Sequence, residues 1–177
     1  MEFASSRDGN SISVVPNFFS NNDLHTNLIS LDSAGISISS VTDDIDGNTR
    51  SSSPDIGADE FNSLPINLAV TSLINPVSAC ELDSQLVQVS IFNYGNSIQK
   101  NFPVRLRLNG GNTITKTFTD SIYPGTSKIF QFDGKVNTSS YGAYQFVIWT
   151  DDSLEQFRPN DTIIKTIYNY ATPSVVV

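Results

Sequence analysis

The sequence predicts an all-β chain, and three observations carry that expectation. Ser, Thr, Asn and Asp are abundant, and these residues favour turns and short strands over helix. No stretch of about 12 residues or more combines a helical apolar period with the Ala, Leu, Glu and Lys that sustain one. Apolar residues instead alternate with polar ones, as in Val87, Val89 and Ile91 or Val104, Leu106 and Leu108. The 177 residues have room for one ordinary domain or two small ones. A hydrophobic share of 38%, with 11 Phe and 6 Tyr, is enough to fill a packed core.

The pattern changes along the chain. Residues 1–62 hold short apolar patches at 12–15, 18–19, 28–31 and 36–41, separated by polar turns, a spacing that suits solenoid coils. Residues 63–66, Ser63-Leu64-Pro65-Ile66, form a short linker with a Pro. From 67 to 170 the alternating runs are longer. Strands are expected at 68–73, 87–91, 104–108, 114–118, 129–132, 144–149 and 163–168. Asn93-Tyr94-Gly95-Asn96 marks a turn. Asn109-Gly110-Gly111-Asn112 marks a tight hairpin, because Gly supplies the positive φ such turns need. Seven strands with turn signals every ten residues or so have the profile of an immunoglobulin-like sandwich of two sheets. Phe118, Phe146 and Trp149 are expected in its core. Residues 171–177 are a tail, linker or the start of another strand.

Two resemblances sharpen this reading. The first segment runs Gly9-Asn10-Ser11-Ile12-Ser13, Val15-Pro16-Asn17-Phe18, Asp23-Leu24-His25 and Ser30-Leu31-Asp32-Ser33-Ala34-Gly35. It closes with Asp44-Ile45-Asp46-Gly47-Asn48-Thr49-Arg50 and Pro54-Asp55-Ile56-Gly57-Ala58-Asp59-Glu60. In that order the elements resemble the last coils and cap of a right-handed parallel β-helix (pectate-lyase-like) from secreted Bacteroidetes proteins. Val15 departs from the Asp usual there. The second segment runs Asn67-Leu68-Ala69-Val70, then Val87 to Gly95, Tyr123-Pro124-Gly125-Thr126-Ser127, Gly142 to Phe146, and Asp151-Asp152 through Pro159-Asn160-Asp161. It resembles the CARDB type of domain, an adhesion-related immunoglobulin-like fold of bacterial and archaeal surface proteins. Together the resemblances imply the end of a β-helix, with further coils upstream, followed by a sandwich that leads to a downstream anchoring domain.

A net charge of −8 and a pI near 4.4 argue against nucleic acid, which needs Lys and Arg to replace its counterions. They argue equally against an anionic membrane surface. No apolar run approaches bilayer length, and no export signal opens the chain. The expected location is secreted or at the cell surface, with the signal upstream. One cysteine, Cys80, excludes an internal disulfide framework and is expected buried or half-buried between strands.

Catalytic constellations fail one after another. His25, the single histidine, stands apart from any nucleophile pairing. Asp151, Asp152 and Glu155 crowd one loop, but a glycosidase needs opposed carboxylates with one pKa shifted, and a solvated loop shifts neither. Arg105 and Arg107 are expected on a solvent face. No catalytic residue and no cofactor is assigned. Hard oxygen ligands make Asp44 and Asp46, and separately Asp151, Asp152 and Asp161, weak candidates for Ca²⁺. An EF-hand loop would place Thr42 and Ser53 where carboxylates belong. The plainer expectation is that Asp46 and Asp55 accept backbone hydrogen bonds while Arg50 pairs with one of them. Asp followed by Ser or Thr at Ser33, Ser121, Ser153 and Thr162 resembles the O-glycosylation motif of exported Bacteroidetes proteins.

The expected function is that of a non-catalytic piece of a secreted or cell-surface bacterial protein. It would act in adhesion, in binding glycans or surface proteins, or as a spacer. The alternative is the accessory C-terminal region of a β-helix polysaccharide lyase or glycoside hydrolase whose active coils lie upstream.

Overall fold

The alternation of Val87, Val89, Ile91 and Asn93 places four consecutive inward side chains on one strand, each fully buried. The computed structural model describes residues 11–16, 18 and 21–173, and the chain divides into two units, Met1–Asn62 and Ser63–Val177. Gly9, Asn10, Asn17 and Phe19 of the sequence motifs, and the tail from Ser174 to Val177, lie outside the described residues.

The second unit is a β-sandwich. Its strands are β1 (Leu68–Asn75), β2 (Ala79–Cys80), β3 (Gln85–Asn93), β4 (Phe102–Leu108), β5 (Thr113–Phe118), β6 (Ser127–Val136), β7 (Gly142–Thr150) and β8 (Thr162–Tyr170). A single 3-10 turn, Arg158–Asn160, precedes β8. One sheet has the order β1-β3-β6 and the other β2-β8-β7-β4-β5. All pairings are antiparallel except β2 with β8. All seven strands expected from alternation form. β2, only two residues long, is too short to leave a periodic signal.

The sheets bury their alternating faces against each other. Leu68, Val70, Val87, Val89 and Ile91 of one meet Val104, Leu106, Phe146 and Ile148 of the other. Each fully buried aliphatic or aromatic side chain contributes about 1.5–3 kcal/mol. An aromatic run closes the side where β5 and β6 approach. Phe102 stacks on Phe118 at 5.0 Å, Phe118 meets Phe130 at 5.8 Å, and Phe130 meets Phe132 edge-on at 5.1 Å. Outside that run, Lys116 donates to the Gln131 carbonyl at 2.9 Å and pairs with Asp133 at 2.6 Å.

Three expectations need correction. Trp149 lies on the outer face of β7, half-buried, with the Arg107 guanidinium 5.7 Å from its ring centroid. Residues three apart on a strand face opposite ways, so Phe146 and Trp149 cannot share the core. Cys80 is exposed, because β2 is a short edge strand. The segment set aside as a linker is fastened to the sandwich: Leu64 and Pro65 carbonyls accept from Asn96 N at 2.9 Å and Ser97 N at 3.2 Å.

Buried asparagines hold the turns. The hairpin between β4 and β5 has Asn109 and Gly110 at φ 48° and 71°, the left-handed pair of a type I′ turn. After β3, the buried Asn93 side chain donates to the Ser97 carbonyl at 2.8 Å and the Ile122 carbonyl at 3.0 Å, and accepts from Gly95 N at 2.9 Å. Gly95 is required by close approach, since a Cβ there would sit 2.6 Å from the Pro65 carbonyl oxygen. At the opposite end Asn169 accepts from Leu82 N at 2.8 Å and donates to the Leu82 and Thr138 carbonyls at 3.0 and 2.9 Å.

The first unit is built differently. Its described residues form turns and one isolated bridge, Asp43 with Thr49, and no parallel coil ladder. Backbone links from Gly35 N to the Pro54 carbonyl at 2.7 Å, Ile56 N to Leu31 at 2.9 Å and Ile45 N to Ala58 at 2.9 Å tie successive turns together. Leu28 and Leu31 are its buried aliphatic residues among those described.

Replacing Asn93 with Ala removes three hydrogen bonds, leaving the Ser97 and Ile122 carbonyls with Gln99 alone and Gly95 N with the Asn67 carbonyl. The expected loss, read from urea unfolding of the whole chain, is about 2–4 kcal/mol. Asn112→Ala, in the exposed hairpin, is expected to stay within about 0.5 kcal/mol of the parent.

Candidate functional site: two carboxylate clusters

The closing motif of the first unit spends its carboxylates on backbone. Asp44 Oδ1 accepts from Asp46 N at 2.9 Å and Asn48 N at 2.7 Å, and Oδ2 from Asn48 Nδ2 and Glu60 N, both at 3.1 Å. Desolvation pushes the Asp44 carboxyl up, but these four donors outweigh it and hold the pKa at about 2. Asp55 accepts from Ser33 N at 2.6 Å and Phe61 N at 2.7 Å, as expected of it. Glu60 accepts from Ser51 N at 3.0 Å and Asp55 N at 3.1 Å. Arg50 pairs with Glu60 at 3.5 Å rather than with Asp46 or Asp55, and also donates to the Asp55 and Gly57 carbonyls at 3.3 and 2.8 Å. With its lone pairs engaged by N–H groups, Asp44 is a scaffold residue.

Asp46 departs from its expected role as a backbone acceptor. Its Oδ2 lies 2.6 Å from His25 Nε2, while Asp23 Oδ1 lies 2.5 Å from Nδ1. Asp59 stands near enough for His25, Asp46 and Asp59 each to offer one ligand atom within a 4.8 Å cluster. The hydrogen bonds from Asp46 and then Asp23 raise the imidazole pKa to about 9, so His25 is a cation at neutral pH clasped between two carboxylates. The Asp-Leu-His turn and the Asp-Ile-Asp-Gly turn are thereby joined across 21 positions. Beside them lies a concavity of about 600 Å³, lined by Ile12, Val14, Phe18, Leu24 and Ile45 among others, with His25 and Asp59 on its wall.

The second cluster was misread as a solvated loop. In the β7–β8 connection Glu155 is only 8% exposed and Asp161 4%. The two carboxyl groups stand close enough to hydrogen-bond each other. Glu155 Oε1 accepts from Leu68 N at 2.5 Å, and Asp161 Oδ2 pairs with Arg158 at 3.2 Å. Burial, with the neighbouring carboxylate, pushes Glu155 up to about 8, and burial raises Asp161 as well. The same connection grips the lead-in to β1: Gln156 Oε1 accepts from Ile66 N at 3.0 Å, and Asn160 Nδ2 donates to Asn67 Oδ1 at 2.8 Å.

The other candidates are occupied elsewhere. Asp151 pairs with Arg105 at 2.6 Å, and Asp152 Oδ1 accepts from Leu154 N at 2.9 Å. Of Asp151, Asp152 and Asp161, only Asp161 joins a buried cluster, and its companion is Glu155. Ser33, Ser153 and Thr162 are exposed and Ser121 is half-buried. Ser33 Oγ donates to Asp32 at 2.9 Å.

Two titrations follow. Protonated His25 is stabilised in the fold, so its contribution is complete below about pH 6.5 and is lost as pH rises through about 9. His25 is the single histidine, so one imidazole resonance in a proton NMR titration should show a midpoint near 9; a midpoint near the free value of about 6.5 would mean the clasp is open in solution. For Glu155 and Asp161 the folded pKa values lie above the unfolded ones, so the folded state holds protons that the unfolded state releases. That stabilisation is complete below the unfolded values of about 4, and Glu155's share of it is lost as pH rises through about 8. In chelator, the melting temperature should fall between roughly pH 5 and 8, and Glu155→Gln should flatten that fall.

No family model and no curated protein matches the chain. Solved structures do. The CARDB domain of a Pyrococcus furiosus protein in solution is 20% identical, with 61% of this chain and 97% of that domain covered, at a TM-score of 0.47. A domain from a Methanosarcina acetivorans protein named for an inferred place at the cell surface is 21% identical over 60% of this chain and 94% of its own, TM-score 0.48. The Pyrococcus furiosus CARDB domain crystallised with di-metal ions is 17% identical over 63% and 100%, TM-score 0.49.

Proposed function

We propose that the chain is a non-catalytic part of a secreted or cell-surface bacterial protein. Residues 1–62 end a parallel β-helix, and the CARDB-like sandwich serves as spacer or adhesion module. The observation that carries this reading is the apolar concavity of the first unit. Leu24 is 64% and Ile45 72% exposed there. A solenoid coil leaves such side chains for its neighbour to cover, because each repeat buries its apolar face only by stacking. The occupant is the preceding coil. The His25 clasp supports this, since it fastens the last turns against one another and leaves the apolar side open.

The sandwich adds a surface suited to glycans. Tyr168 and Tyr170 on β8 stack at 5.8 Å and are both about half exposed, and aromatic faces of this kind pack against sugar rings.

The test is to compare this chain with one extended by the coding sequence upstream of Met1. The extended protein should bind less of a hydrophobic dye per mole and melt several degrees higher. Equal dye binding and equal melting would sink the coil-end reading. A screen of the sandwich against glycans and matrix proteins separates adhesion, where Tyr168→Ala and Tyr170→Ala abolish binding, from a spacer that binds nothing.

A further inference from the structure

Among the described residues, the buried side-chain atoms without a hydrogen-bond partner fall into two chemical groups. Three are nitrogens, of Arg50, Asn67 and Arg105; four are oxygens, of Thr150, Glu155, Asn160 and Asp161. All four unpartnered oxygens belong to one stretch of twelve residues, from the last residue of β7 to the residue before β8. Thr150 is fully buried, and its N–H donates to the Asp161 carbonyl at 3.3 Å. Asn160 directly precedes Asp161, and Glu155 Oε2 and Asp161 Oδ1 belong to carboxyl groups in mutual contact. Buried polar oxygens left unpaired cost about 1–3 kcal/mol each, so a concentration of four in a single connection calls for a partner.

We propose that the β7–β8 connection binds a calcium ion through the Glu155 and Asp161 carboxylates, with the Thr150 hydroxyl and the Asn160 amide oxygen completing the protein's share of ligands. A shared proton would serve two of these oxygens and leave the other two stranded. A hard divalent cation takes all four, and calcium's six to eight ligands at flexible angles suit an irregular loop better than magnesium's strict octahedron. Arg158 does not pre-empt the site. It approaches Asp161 through Oδ2 and leaves Oδ1 unengaged, its other guanidinium nitrogen donates to the Asp152 carbonyl, and its side chain is 47% exposed. Once both are ionised, two carboxylates against one guanidinium leave a net negative charge for the ion. Asp44, Asp55 and Glu60 of the first unit carry no such vacancy, because backbone N–H groups occupy them. Binding would fasten the loop that grips Ile66, Asn67 and Leu68, and so would stiffen the point where the chain enters the sandwich.

The single tryptophan, Trp149, is the immediate neighbour of Thr150, which supplies a local readout. Terbium, a luminescent stand-in for calcium, should emit when the whole chain is excited through Trp149. Calcium should quench that emission and an equal concentration of magnesium should not. Above pH 8, saturating calcium should raise the sandwich's melting temperature by about 10 °C. Glu155→Gln and Asp161→Asn should each weaken calcium binding by roughly tenfold or more, while Asp133→Asn, on an exposed strand, should not. If either variant fails to fold, the titration of the unaltered chain still decides. No terbium emission and no calcium-dependent melting shift above pH 8 would overturn the proposal. So would emission that survives both Glu155→Gln and Asp161→Asn, which would place the ion elsewhere. A chelated protein that loses stability with pH but ignores calcium would mean the pair shares a proton only.

Discussion

A side chain that stands in for backbone is the interaction on which both units depend. Every buried or half-buried N–H and carbonyl must find a partner, and turns offer few from the main chain. In the first unit Asp44, Asp55 and Glu60 supply acceptors to the backbone N–H groups of Ser33, Asp46, Asn48, Ser51, Asp55, Glu60 and Phe61. In the sandwich Asn93 and Asn169 do the same work at opposite ends, and Glu155 takes the first N–H of β1. Carboxylates provide acceptors only, whereas amides provide both donors and acceptors. That difference sorts them: carboxylates meet exposed or looped N–H groups, and amides sit where carbonyls must also be met.

The same constraint explains what could be read from the residues alone. Strand positions announce themselves, because inward and outward side chains alternate and a sheet must bury one face. Turns with Gly110, or with Gly95 pressed against Pro65, are legible because only glycine tolerates those positions. Trp149 was misplaced although the information was present, since its odd separation from Phe146 forbids a shared face. Glu155 was illegible for a different reason. Whether a loop carboxylate is solvated depends on what folds over it, and the lead-in to β1 that does so lies 87 positions away. The pairing of His25 with Asp46 was similarly hidden, because the two turns that carry them are separate motifs in the chain.

Density of acidic residues therefore says little about ion chemistry, and occupancy of their lone pairs says much. The first unit has the richer cluster by count, yet its best-placed carboxylate, Asp44, already accepts four hydrogen bonds and is held at about 2. Asp23 and Asp46 share one protonated imidazole that lies within hydrogen-bond distance of both. The sandwich has only two buried carboxyls in contact. One donor reaches Glu155 and one guanidinium reaches Asp161, and the remaining oxygens, Glu155 Oε2 and Asp161 Oδ1, have no donor. Burial then works against ionisation, which is why these acids are shifted up while Asp44 is shifted down.

These opposite shifts give the two units opposite responses to their surroundings. The first is held by a cation that the protein supplies itself, and that clasp survives wherever His25 stays protonated. The second holds a carboxyl pair whose charge, once both groups ionise, the chain only half compensates, through Arg158. Any external proton or cation that completes the compensation stabilises the fold by mass action. The junction between Ile66 and Leu68 lies under that same loop, so a cation bound there would stiffen the chain where it enters the sandwich.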